Sequence, residues 1–268
     1  MMRSIRGAVV ANRKVTAYCA RQDVELQLRR CLEPHLVFGS TDSWAEFQAA
    51  LPHAECGIAM LPRIDALAVG RLREIAFALP DTPLILVASS TSDDFHASGL
   101  GEAHVVWLDE LTVTLPDVVV LACEQHYLRR IALNVERAEQ LPVRLRTAIA
   151  AACRHPNLFR SVRNLAGSSG QTRSSFARTW HSSAPKGLTP KVLLDWLLLL
   201  RAVALKFPSR SWEAVAEALG VDQDTLAHLA HRLMNAKLSD LDANALTFLH
   251  RRFGDAVLEP LQIRRPTG

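Results

Sequence analysis

Between Glu139 and Asp195 the chain has no carboxylate, while nine basic residues occur there: Arg144, Arg146, Arg154, Arg160, Arg163, Arg173, Arg178, Lys186 and Lys191. A stretch of that length with one sign of charge repels itself unless an anion offsets it, and phosphate backbones are the commonest such anion. A solvated basic face, or pairing with the more acidic first half, would also accommodate it. Within the stretch, residues 165–180 read LAGSSGQTRSSFARTW. Leu165, Ala166, Phe176 and Trp180 are expected to face inward. Gln171, Thr172, Arg173, Ser174, Ser175 and Arg178 then lie outward or at a helix start. Arginine can bond guanine through two hydrogen bonds, glutamine can do the same for adenine, and serine or threonine suits either. The plainer alternative is a helical hairpin with a polar face.

Short helices must carry these side chains. Leu145–Cys153 and Leu158–Ala166 read as helices, the chain turns through Gly167-Ser168-Ser169-Gly170, and a further helix runs from about Thr172, its cap, to His181. Two short helices around a glycine-bearing turn form a helix-turn-helix signature. Ala166 lets the helices approach, and Gly170 permits a positive φ. A long helix follows Leu188-Thr189-Pro190, with proline in its first turn. Its apolar face runs through Leu194, Leu197, Leu198 and Leu205, and it stops at Pro208. Ser211–Leu219, a turn at Gly220-Val221, and Asp222–Asn235 capped by Asp222 make a second pair. Leu238–Leu261 closes the chain with a last helix or two.

Residues 142–261 resemble the AraC/XylS-type DNA-binding domain, which has two helix-turn-helix units joined by one long helix. Ala166-x-x-x-Gly170-x-Thr172-x-x-x-Phe176-x-Arg178-x-Trp180 follows that family's A-x-x-x-G-x-S-x-x-x-L-x-R-x-F pattern. Thr189-Pro190 and Ala202 match its linker helix, and Ala216-x-x-x-Gly220-x-Asp222-x-x-x-Leu226 repeats the first pattern. The two glycines lie 50 residues apart, as the family's layout implies. The resemblance implies a sequence-specific transcription regulator on double-stranded DNA. Arg144, Arg146, Arg160 and Arg163 would contact phosphates, and Gln171, Arg173, Ser174 and Arg178 would read bases. The second unit departs from the pattern. His228 and Ala230 replace an arginine and an aromatic, Asp222 and Asp224 open its recognition helix, and Leu198 stands where the linker helix often has arginine. The first unit is therefore expected to dominate, with Gln223, Thr225, His228 and Arg232 the plausible readers of the second.

The first half alternates apolar runs with amphipathic ones. Strands are expected at Lys14–Cys19, Leu36–Phe38, Cys56–Leu61, Pro83–Ala88 and Val105–Leu108. Helices are expected at Asp23–Leu32, Ser43–Leu51 (Ser43 capping, Glu46 three residues on), Asp65–Leu79 and about Asp117–Ala138, with Pro116 at the start of the last. This argues for a parallel sheet covered on both faces, in a flavodoxin-like α/β fold. In element order and size it resembles the receiver domain of bacterial response regulators, with Pro62-Arg63-Ile64-Asp65 matching that family's turn after the third strand. The chemistry is missing. The phosphoacceptor position falls on Ile58, the acidic pair would lie near Ala20–Arg21, and the lysine near Leu108–Asp109. Ser89 or Ser90 could stand for the hydroxyl after the fourth strand. The expected product is a pseudo-receiver, a scaffold for dimerising or for contacting another protein.

The whole is expected as two domains: 1–140, α/β and receiver-like, and 141–268, all-α with two helix-turn-helix units. The charges divide likewise, with 13 Lys/Arg against 18 Asp/Glu in residues 1–140 and 18 against 9 in residues 141–268. Strand-end groups Ser89, Ser90, Asp93, Asp94, His96 and Asp109 would be an enzyme's candidates. However, Asp93-Asp94 reads as a helix cap, and no dinucleotide fingerprint, phosphate-binding loop or nucleophile elbow occurs. His53, His96, His104 and His126 are scattered. Cys19, Cys31, Cys56, Cys123 and Cys153 form no CxxC and no zinc spacing, so buried free thiols in a reducing cytoplasm are expected, with no metal and no cofactor. Val192–Leu200 is too short and too charged to span a membrane and reads as a core helix. The opening MMRSIRGAVVANRK reads as a loose leader. The competing reading is a protein–protein adaptor whose helical half has lost DNA binding.

Overall fold

The computed structural model describes residues 14–32, 37–61, 66–79, 82–88, 104–156, 158–206, 210–242 and 245–266. The Pro62–Asp65 turn, Ser89, Ser90, Asp93, Asp94, His96 and Pro208 lie outside them. The chain packs as two compact units, residues 9–126 and residues 127–268.

In the first unit, strands β1 (Lys14–Cys19), β2 (Val37–Thr41), β3 (Cys56–Leu61), β4 (Leu84–Ala88) and β5 (His104–Trp107) form one sheet. Every pairing is parallel, and the order β2-β1-β3-β4-β5 is that of a flavodoxin-like wound sheet. Alternate residues of β3 serve opposite faces, as the pleat requires. Cys56, Ile58 and Met60 pack with α1 (Gln22–Leu32) and the first half of α4 (Leu111–Glu136). Ala59 and Leu61 pack with α2 (Trp44–Ala50) and α3 (Ala66–Ala78). Both faces are covered, so central strands read as unbroken apolar runs. Ile58, which the sequence resemblance aligned with a receiver's phosphoacceptor, is fully buried between Ala17 and Ile85.

Local chemistry explains several boundaries. Ser43 caps α2 by accepting the Glu46 N–H, and Glu46 accepts from Thr41 Oγ1 at 2.6 Å. Helix α4 starts six residues earlier than its expected start at Asp117, placing Pro116 inside it. Leu111, Leu115 and Val119 keep one apolar stripe on the sheet through the proline, and their burial offsets the lost hydrogen bond. Strand β2 runs on to Thr41, beyond the brief strand expected, because it pairs with β1 as far as Tyr18.

The second unit is helical: α5 (Val143–Arg154), α6 (Val162–Gly167), α7 (Arg173–Ser183), α8 (Pro190–Ala204), α9 (Trp212–Leu219), α10 (Gln223–Met234) and α11 (Leu246–Phe253). Helix α8 is central and packs against α5, α6, α9, α10 and α11. It is buried on nearly all sides, which accounts for its apolar run. Helix α6 begins only at Val162, after the Ser161 cap, and Leu158 is exposed. After a short 3-10 turn at Leu238–Asp240, α11 ends in a wider π turn, Gly254–Leu258. The last residues return to α4, where Asn134 donates to Arg264 O and Gln140 to Leu261 O and Gln262 O.

Cys19, Cys56, Cys123 and Cys153 are buried free thiols, and Cys31 is half-buried. Cys153 follows the apolar run Ala148–Ala152, and burial pushes its thiol up to about 12. Among the described residues no helix is long and apolar enough to cross a membrane.

Gly57 shows how closely the α2–α3 face is packed. A Cβ there would lie 2.3 Å from Leu51 Cδ2, 3.0 Å from Leu84 Cδ2 and 3.2 Å from Phe47 Cζ, all in the buried core. Gly57→Ala should cost about 1–3 kcal/mol of stability through overpacking, read as a lower urea midpoint.

Candidate functional site

Three exposed cations of the acid-free stretch, Arg163, Arg173 and Arg178, sit on the α6–α7 helix pair, and Arg144 lies on the neighbouring α5. Ser161 Oγ caps α6 by accepting the Asn164 N–H at 3.2 Å. At the turn Gly170 adopts φ 67°, and Gln171 N–H reaches back to Ala166 O at 3.1 Å. Thr172 Oγ1 then caps α7 through the Ser175 N–H at 3.2 Å. Leu165, Ala166, Phe176 and Trp180 are fully buried, and the Trp180 indole donates to Leu188 O at 2.7 Å, anchoring the entry to α8.

The second pair repeats this frame 50 residues on. Ser211 caps α9 through the Ala214 N–H, Gly220 adopts φ 60°, and Val221 N–H reaches Ala216 O at 3.0 Å. Leu226 and Ala230 are buried in the places of Phe176 and Trp180. Asp222 occupies the cap position of α10, but its side chain makes no capping bond.

The expected site residues divide into three groups. Arg144, Arg163, Arg173 and Arg178 are exposed and make no hydrogen bond or ion pair with another described residue; Ser174 is exposed beside Arg173. Others are engaged within the unit. Gln171 is half-buried and donates to Ser175 Oγ and Thr179 Oγ1, while Ser169 Oγ donates to its amide oxygen. Thr172 is taken up by the cap. Arg146 donates to Glu136 O at 2.9 Å, and Arg160 to Gly220 O at 3.2 Å. Of the second pair's candidates, Gln223, Thr225 and His228 are exposed and unbonded among the described residues, and Arg232 donates to Asp195.

Asp195, which in the sequence only marks the end of the acid-free stretch, is a buried ion-pair centre. It is 1% exposed on α8 and held by Lys191, one turn earlier, and by Arg232 of α10. The lysine at i−4 was the available local signal; the arginine 37 residues away gave none. Arg154 is likewise neutralised, by two bonds of 2.5 and 2.7 Å to Glu136. Those bonds hold the Glu136 carboxyl below the usual carboxylate range. Their stabilisation is present above that range and is lost as pH falls through the lowered value.

A cleft of about 420 Å³ opens between Glu136, Val143, Arg146, Thr147, Ala151, Arg154 and His155, with its Glu136–Arg154 pair already closed. His104 meets Gln125 at 3.1 Å in the sheet unit, His126 is buried, and His53 is exposed. Among the described residues no group of three or more His, Cys, Asp or Glu side chains could hold a metal ion.

No family model, no curated protein and no solved structure matches the chain.

Two stability outcomes follow from this geometry. A Cβ on Gly170 would meet nothing within 4 Å, whereas one on Gly220 would lie 2.6 Å from Arg160 Nη1. Gly170→Ala should cost about 1–2 kcal/mol from the left-handed backbone alone, and Gly220→Ala only slightly more, because the exposed end of Arg160 can move aside. Placing both in an Arg160→Ala background should remove the difference in a double-mutant cycle. Arg232→Met leaves the buried Asp195 carboxylate with Lys191 alone, and should cost about 3 kcal/mol in urea unfolding. Lys191→Met should cost less, because that ammonium is 62% exposed against 40% for Arg232.

Proposed function

We propose that the chain is a sequence-specific DNA-binding transcription regulator, with the α5–α11 unit acting as an AraC-like pair of helix-turn-helix modules in the cytoplasm. The observation that carries this reading is the set of exposed cations on and around the first helix pair that have no partner among the described residues: Arg144, Arg163, Arg173 and Arg178. A capped α7 with a buried inner face holds Arg173 and Arg178 rigidly, as a helix entering a major groove requires. The repeated frame around one central helix supports two such modules.

In this reading α7 enters the groove, Arg173 and Arg178 reach base edges, and Ser174 supplies an adjacent hydroxyl. Arg144 and Arg163 grip phosphates. Gln171, Arg146 and Arg160 serve as internal struts, so they are removed from direct contact. The sheet unit acts as a pseudo-receiver that cannot use aspartyl phosphorylation at the third strand, because its position there is the buried Ile58.

A second reading, a protein–protein adaptor, draws on α10. Its first turn presents exposed Asp222 and Asp224, which repel phosphate, and its Arg232 is turned to Asp195. That observation demotes the second module and leaves the first intact.

The test is duplex selection from random sequence with the full chain, followed by a salt titration. Log K should fall linearly with log salt, at about 0.9 per phosphate neutralised. Arg173→Ala should weaken the selected site by about 1–3 kcal/mol and leave random duplex nearly unchanged. Equal losses on both would make Arg173 a phosphate contact. Absence of duplex binding at low salt would overturn the reading in favour of the adaptor.

A further inference from the structure

We propose that the outward face of α3 is a homotypic interface: two copies of the chain pair through antiparallel α3 helices about a two-fold axis. Arg71 of each copy bonds Glu74 of the other, between two Leu67–Phe77 contacts. The proposal stands independently of the DNA reading.

At 3.6 residues per turn, Leu67, Gly70, Arg71, Glu74, Phe77 and Ala78 fall within one face about 120° wide. The opposite side, Ala68, Leu72 and Ile75, packs on the sheet. Phe77 is 89% exposed and Leu67 67%. One exposed leucine needs no explanation, but a nearly bare phenylalanine sharing its helix face with a leucine is the pattern of a surface that meets something. Between them lies Gly70, where a Cβ would meet nothing within 4 Å. The backbone is open there to a second helix, which accounts for a residue costing about 0.8–1.0 kcal/mol relative to alanine in a helix interior.

The charges identify the occupant. Arg71 and Glu74 are three residues apart on this face, yet they form no ion pair with each other. Arg71 stands over the Trp44 ring at 5.9 Å, and Glu74 makes no hydrogen bond among the described residues. Leu67 and Phe77 are equidistant from residue 72, and Arg71 and Glu74 straddle a point half a residue further on. One antiparallel register therefore sets Leu67 against Phe77 and Arg71 against Glu74, twice over, as an isologous contact requires. Parallel pairing would instead set each charge beside its own copy. The face is self-complementary in shape and in charge, so its partner is a second copy of this chain.

A 13-residue helix is about 20 Å long, so the contact falls below the roughly 800 Å² per partner of a standard interface. Dissociation in the range of about 10 µM is expected. Sedimentation velocity on the full chain, from about 1 to 100 µM without DNA, tests this. The wild type should shift from monomer to dimer, and Phe77→Glu should weaken association at least about tenfold. Arg71→Glu should weaken it too, and Arg71→Glu with Glu74→Arg should restore it. Circular dichroism checks that each variant is folded, and if Phe77→Glu is not, the charge-reversal pair decides. A wild type monomeric at about 100 µM, a dimer indifferent to Phe77→Glu, or a double reversal that fails to recover what the single lost would each overturn the proposal.

Discussion

Which arginines remain available in the helical unit is set by where its few carboxylates lie. A charge taken out of water must be paired, so a buried acid claims whatever cation can reach it. Asp195, buried in α8, claims Lys191 and Arg232. At the surface, where no burial forces the pairing, Glu136 also holds Arg154, and Asp255 with Glu259 holds Arg265. Among the described residues no acid pairs with Arg144, Arg163, Arg173 or Arg178, and all four are exposed. The basic character of the first helix pair is thus a consequence of acid placement as much as of arginine number.

The same constraint distinguishes two helix pairs that share one backbone frame. Each begins with a serine cap, turns through a left-handed glycine and closes on a carbonyl five residues back. Only the first buries two large aromatics and presents unpaired guanidinium groups. The second buries Leu226 and Ala230, opens on aspartates and commits Arg232 to α8. Asp195 therefore joins α10 to the central helix and, by the same bonds, withdraws Arg232 from external contact. Arg160, bonded to Gly220 O, ties the segment before α6 to the turn of the second pair.

The sheet unit shows the opposite economy of charge. Its central strands β3 and β4 are apolar on both faces, and its helices split evenly between those faces: α1 and α4 on one side, α2 and α3 on the other. Little in the described part of the sheet could do chemistry. Cys19 and Met60, at the strand ends where wound sheets bind ligands, meet each other at 3.7 Å. What the unit offers is surface, and α3 is the helix whose outward face is least like a solvated one.

Strand and helix order, the caps at Ser43 and Thr172, and the glycine turns were legible in the sequence, whereas the cap expected of Asp222 makes no side-chain bond. Each depends on atoms within about one helical turn or on a hydrophobic period. The inward placement of Leu165, Ala166, Phe176 and Trp180 was legible for the same reason. Other features depended on contacts the sequence does not bring together. Leu111 and Leu115 find the sheet and carry α4 through Pro116. Arg232 finds Asp195 across 37 residues, and Arg160 finds Gly220 across 60. Periodicity says which side of a helix is buried, but not what lies against it. Sequence alone therefore determined the framework and the cationic excess, and tertiary packing decided which cations were neutralised, because desolvation and ion pairing depend on distance in space rather than along the chain.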